Sequence, residues 1–65
     1  MKLYDLLDIT DPDTEVAITQ NSNGCFLLLF REKAKLALQA GLINQDIHMQ
    51  GIAPDGVLVI ELKEV

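Results

Sequence analysis

Residues 21–30 read NSNGCFLLLF, and the conformation of this stretch decides the fold of the 65-residue chain. Four turn formers, Asn21-Ser22-Asn23-Gly24, run into six consecutive apolar residues, Cys25 to Phe30. The chain then turns abruptly to charge at Arg31-Glu32-Lys33. Asn-Gly is a strong short-range hairpin signal, because both residues tolerate positive φ. Upstream, Thr14 to Gln20 alternates: Val16 and Ile18 face one way, and Glu15, Ala17 and Thr19 the other. That is the pattern of a half-buried strand. Cys25 to Phe30 then reads as the returning strand, with Phe26, Leu28 and Phe30 on one face and Cys25, Leu27 and Leu29 on the other.

A competing reading makes Ser22 to Gly41 one long helix, capped at Ser22 and stopped at Gly41, since Leu, Ala, Lys and Arg are good helix formers. Two considerations favour the hairpin. The alternating strand before it needs a nearby partner, and a helix with Phe and Leu all the way round is hard to bury in so short a chain.

Working outward, Lys2 to Leu7 places Leu3, Leu6 and Leu7 at helical spacing and predicts a short helix. Thr10-Asp11-Pro12-Asp13 ends it, because proline holds the preceding residue away from the α region. Glu32 to Ala40 predicts a second helix with Ala34, Ala37 and Leu38 inward and Gly41 as its stop. Gln45 to Ile52 alternates weakly, with Ile47, Met49 and Gly51 on one side. Pro54-Asp55-Gly56 is a turn, and Val57 to Leu62 a strand of β-branched and aliphatic residues. The predicted fold is α+β, in the order αββαββ. Its simplest packing is a four-stranded antiparallel sheet with both helices on one face. No linker or low-complexity tract divides the chain, so residues 1–65 are expected to form a single domain.

Composition limits the function classes. Hydrophobic residues make up 49% of the chain, too many for a disordered segment. The longest apolar run is six residues, against the roughly 20 that a membrane helix needs. Met1-Lys2 leads directly into Leu3, Tyr4 and Asp5 without an apolar signal core. The single cysteine, Cys25, permits no internal disulfide and suits a small buried hydrophobe in a reducing compartment. A cytoplasmic protein without membrane contact is the expectation. Net charge is −5, with Asp5, Asp8, Asp11, Asp13 and Glu15 placing five acids within eleven residues. Arg31, Lys33 and Lys35 form the one basic cluster. Three cations in an acidic chain are too few to hold a phosphate backbone, which argues against direct nucleic-acid binding.

Catalytic and metal signatures are sparse. His48 is the sole histidine and has no companion at ligand spacing, so zinc and His-assisted nucleophiles lack support. Asp11, Asp13 and Glu15 resemble the start of a calcium loop, but its sixth and twelfth places hold Val16 and Ser22 where glycine and glutamate are required. The four glycines make no phosphate-binding pattern. No catalytic residue, metal or cofactor is assigned.

The apolar strand carries the sharper inference. If both helices cover one face of the sheet, either Cys25, Leu27 and Leu29 or Phe26, Leu28 and Phe30 lie on the open face, unless the sheet curls or the first helix crosses over. Contiguous exposed apolar patches in small proteins mark interaction surfaces. Arg31 and Lys35, four apart, either pair with the Asp5–Glu15 acids within the fold or dock an acidic partner. The sequence LYDLLDITDPDTEVAI, a glycine turn, LLLF and a closing DGVLVIEL resemble small uncharacterised proteins of Gram-positive bacterial phages and mobile elements. That resemblance implies an αββαββ-like fold and an accessory role, with no catalytic residues to carry over. The reading is a protein–protein interaction or accessory module that self-associates through an apolar sheet face, its candidate residues being Cys25, Leu27, Leu29, the five clustered acids, Arg31 and Lys35. An acidic mimic of nucleic-acid phosphates that occupies a basic protein, and a non-catalytic subunit of an enzyme complex, are the alternatives.

Overall fold

The computed structural model describes residues 1–64. Its elements follow the order α1 (Leu3–Asp8), β1 (Glu15–Ser22), β2 (Cys25–Lys33), α2 (Ala34–Ala37), β3 (Ile47–Ile52) and β4 (Leu58–Leu62). The NSNG stretch forms the expected tight turn. Asn23 and Gly24 take φ of 52° and 81°, the paired positive values of a hairpin turn that matches strand twist. β1 and β2 therefore pair antiparallel, Ser22 opposite Cys25 and Glu15 opposite Lys33.

The four strands form one sheet in the order β2-β1-β4-β3. The sheet is mixed rather than antiparallel. Each hairpin is antiparallel, but the central strands β1 and β4 run parallel, with Val16 opposite Leu58, Ile18 opposite Ile60 and Gln20 opposite Leu62. Side-chain alternation has the same period in either direction, so the residues set which strands are apolar but not how two hairpins are laid side by side.

One face of the central pair makes the core. Val16, Ile18, Leu58, Ile60 and Leu62 meet Leu3, Leu6 and Leu7 of α1 and Ala34 and Ala37 of α2, so both helices lie on that face. Phe30, Leu42, Ile43 and Ile47 seal its margins. The chain start is stitched to the segment before β3. Leu3 N–H donates to the Gln45 carbonyl at 2.9 Å, Ile47 N–H to the Met1 carbonyl at 2.9 Å, and Lys2 pairs with Asp46 at 3.2 Å. Gln20, buried on the helix face, donates its Nε2 to Gln45 Oε1 at 2.8 Å and to the Lys63 carbonyl at 2.9 Å. These bonds satisfy a polar side chain that would be costly to bury alone.

The second helix is a single turn, Ala34–Ala37, not the expected Glu32–Ala40. Arg31, Glu32 and Lys33 instead extend β2, opposite Ala17, Val16 and Glu15. Ladder bonds along a full-length β1 outweigh a helix propensity of a few tenths of a kcal/mol per residue. The first N–H groups of α2 are met from outside it: Ala34 donates to the Thr14 carbonyl at 2.8 Å and Lys35 to the Pro12 carbonyl at 3.1 Å. Leu38, assigned inward by the longer helix, is exposed.

Candidate interaction surface

Residues facing away from the helices form an open sheet face. On β1 these are Glu15, Ala17 and Thr19, and on β4 Val59 and Glu61, by alternation from the buried Val16, Ile18, Ile60 and Leu62. Both outer strands carry a bulge that adjusts this pattern. Ile18 opposes Phe30 and Thr19 opposes Leu28, leaving Leu29 as the extra residue of β2. Leu62 opposes Ile47 and Glu61 opposes Met49, leaving His48 as the extra residue of β3. A bulge inserts one residue and resets the alternation beyond it. Phe30 and Ile47 thus turn in to the core, while Phe26, Leu28 and Met49 turn out.

This corrects the sequence reading of two unbroken rows. Phe26, Leu28 and Phe30 do not share a face, and neither do Ile47 and Met49. Outward, Phe26 on β2 and Met49 on β3 stand on either side of a floor that includes Thr19, Gly51 and Val59. The result is an apolar concavity of about 340 Å³ running toward Ile52 and Ala53. Glu61 closes one end, 3.8 Å from His48 Nε2 and with a side chain only 21% exposed.

The first half of β2 is uncovered on both faces. Phe26 is 62% exposed, Leu27 45%, Leu28 58% and Leu29 39%, whereas β1 beside them is buried from Val16 to Gln20. Leu27 opposes Gln20 and so lies on the helix side, yet the core reaches only as far as Phe30. Cys25 is exposed as well, contrary to its expected burial, because the hairpin end extends past the helices. Of the candidate apolar residues, Cys25 and Leu27 lie opposite Ser22 and Gln20 on the helix side of β2, and Leu29 is the extra residue of the bulge, so the three do not form one row on the open face.

The charged candidates separate into two places. Glu15 and Arg31 share the open face near the far end of the concavity. Arg31 Nε donates to Glu15 Oε2 at 2.6 Å and its Nη2 lies 3.9 Å from Asp55. The Glu15 hydrogen bond and charge raise the guanidinium pKa above its already high value. Lys35 pairs with Asp13 at 3.3 Å on the other side of the loop. Arg31 and Lys35 therefore do not project together from one helix, as their spacing of four suggested. The Asp5 carboxylate accepts from Lys2 N–H at 3.1 Å at the start of α1. Asp11 accepts from Asp13 N–H at 2.8 Å, an Asx turn, and Asp8 ends α1 in an exposed position. The five acids run from a helix start through a loop to a strand and are not gathered on one sheet face.

Sequence reasoning missed Met49 as the wall opposite Phe26, and missed both bulges. An all-apolar run gives no sign of where one residue slips out of register. On β3 the expected alternation of Ile47, Met49 and Gly51 onto one face is broken by the bulge at His48, which leaves only Met49 and Gly51 outward.

No helix among the described residues is long and apolar enough to cross a membrane. Comparison with protein-family models, with curated proteins and with solved structures finds no match to this chain.

Proposed function

We propose that this protein is a small protein–protein interaction module that self-associates through the apolar first half of β2. The observation that carries the reading is the exposure of Phe26, Leu27, Leu28 and Leu29 in one continuous stretch. A large apolar patch on a small chain marks a surface that another protein covers. Each 100 Å² hidden there contributes about 2.5 kcal/mol at 25 cal/mol per Å². Association costs on the order of 4–15 kcal/mol, so several hundred Å² are needed before a dimer forms at micromolar concentration. The concavity beside Phe26 supplies a second apolar surface for a further protein partner, and the acidic groups keep the remainder of the surface hydrated.

Sedimentation across a concentration series, in low and high salt, addresses this directly. Apolar contact predicts a mass that rises with concentration and is retained in high salt, because screening acts on charge pairs and not on buried area. A monomer mass at every concentration contradicts the reading.

A further inference from the structure

We infer that the surface covering this stretch is the same strand of a second copy, paired edge to edge and antiparallel about a two-fold axis at Leu27. This rests on the self-association proposed above and specifies its geometry. β2 is an outer strand, so its free side presents unpaired main-chain groups, the template to which another strand adds. A partner seated on the open face would hide Phe26 and Leu28 but leave Leu27 on the opposite side in water. An added strand flanks both rows at once.

Of the two outer strands, β2 carries four consecutive exposed apolar side chains, Phe26 to Leu29, whereas on β3 the exposed Met49 and Ile52 are separated by Gln50 and Gly51, so a second copy of β2 supplies the matching rows. Symmetry then fixes the register. In a continuous sheet, opposite residues share a face, so the two-fold axis passes through a residue and not between two. Centred on Leu27, the axis sets Phe26 opposite the partner's Leu28 and Leu27 opposite the partner's Leu27. Centred on Leu28, it would set Phe26 opposite the partner's Phe30, which the bulge at Leu29 has turned into the core. Only the Leu27 centre keeps both apolar rows matched without crossing the bulge. Charge favours the same edge: Val16 to Arg31 contains no acidic residue, although the chain carries a net −5. Two copies meeting here keep their acid-rich segments apart. Three matched pairs make a patch below the ~800 Å² per partner of a standard interface, so the dimer is expected to be concentration-dependent.

Directly opposed residues in an antiparallel pair have Cα atoms about 4.5–5.5 Å apart, within the range a disulfide spans. The two Cys25 residues would instead lie four strand steps apart, roughly 13 Å, beyond that range. The experiment is mild oxidation of three chains, followed by non-reducing electrophoresis and sedimentation: the natural chain, Leu27→Cys in a Cys25→Ser background, and Met49→Cys in the same background. Leu27 and Met49 are both exposed, so neither change threatens folding. The expected result is a dimer in solution, a covalent dimer from Leu27→Cys, and no covalent dimer from the natural chain or Met49→Cys. A solution dimer in which Leu27→Cys fails to cross-link, or links no better than Met49→Cys, overturns this register and leaves self-association standing. A monomer throughout overturns both.

Discussion

Ile60 shows what a single position contributes to this fold. It is fully buried where β4 meets β1 under the helices. Removing its side chain to Ala loses transfer free energy and leaves a cavity that the short helices cannot close, so Ile60→Ala should cost about 2–5 kcal/mol by urea denaturation. Leu28→Ala, at a side chain mostly in water, should change stability by well under that amount, near the ±0.5 kcal/mol typical of surface sites. Asp46 carries a pH signature. Its carboxyl is held below the ordinary carboxylate range by the hydrogen bond and charge of Lys2. A depressed native pKa stabilises the fold above the unfolded pKa, and that stability is lost as pH falls through the native value. Asp46→Asn should therefore be less stable than the natural chain at neutral pH. The gap should close in acid, followed by denaturation at a series of pH values. The same residue scale holds what was plainest in the sequence. Asn23-Gly24 required positive φ and received it, and the buried Leu3, Leu6, Leu7, Val16 and Ile18 all stand on faces that their spacing had marked.

Elements were legible where local pattern and tertiary contact agree, and obscure where they compete. The hairpin is such an agreement: a turn pair, an alternating strand before it and an apolar strand after it. The stretch from Glu32 to Ala40 is a conflict. Its residues favour helix, yet pairing with Val16 and Glu15 draws Glu32 and Lys33 into β2 and leaves one turn of α2. Helix propensity can be read from a residue, but the length of the neighbouring strand cannot be read from that residue. The bulges at Leu29 and His48 lie further out of reach, because they answer to the twist of the assembled sheet. They nonetheless shape the candidate surface by turning Phe30 inward and leaving Leu28 out. At this scale Leu27→Glu is the informative change. It places two carboxylates opposite each other at the proposed two-fold, so it should abolish self-association in sedimentation while leaving the thermal midpoint of the monomer nearly unchanged. Leu36→Glu, at an exposed leucine of α2, should leave the dimer intact.

For the whole molecule, one half-covered sheet explains both the fold and its candidate surface. Two helices on one face suffice to bury the central strands β1 and β4, but they stop short of the outer part of β2. The parallel pairing of β1 with β4 was the least legible feature, since residues far apart in the chain set it and no local pattern records direction. The candidate surface was half legible. The sequence placed one apolar row of Cys25–Phe30 on the open face, whereas the exposure of Leu27 on the other face and the concavity between Phe26 and Met49 required the assembled sheet to be known. The central claim is that the free edge of β2 is covered by a second copy. Amide hydrogen exchange, residue by residue and at increasing protein concentration, reads that edge most directly. Protection within Phe26–Leu28 should rise with concentration and persist in high salt, while the amides of β3 keep their rates. Exchange across Phe26–Leu28 that is the same in dilute and concentrated solution would contradict the claim.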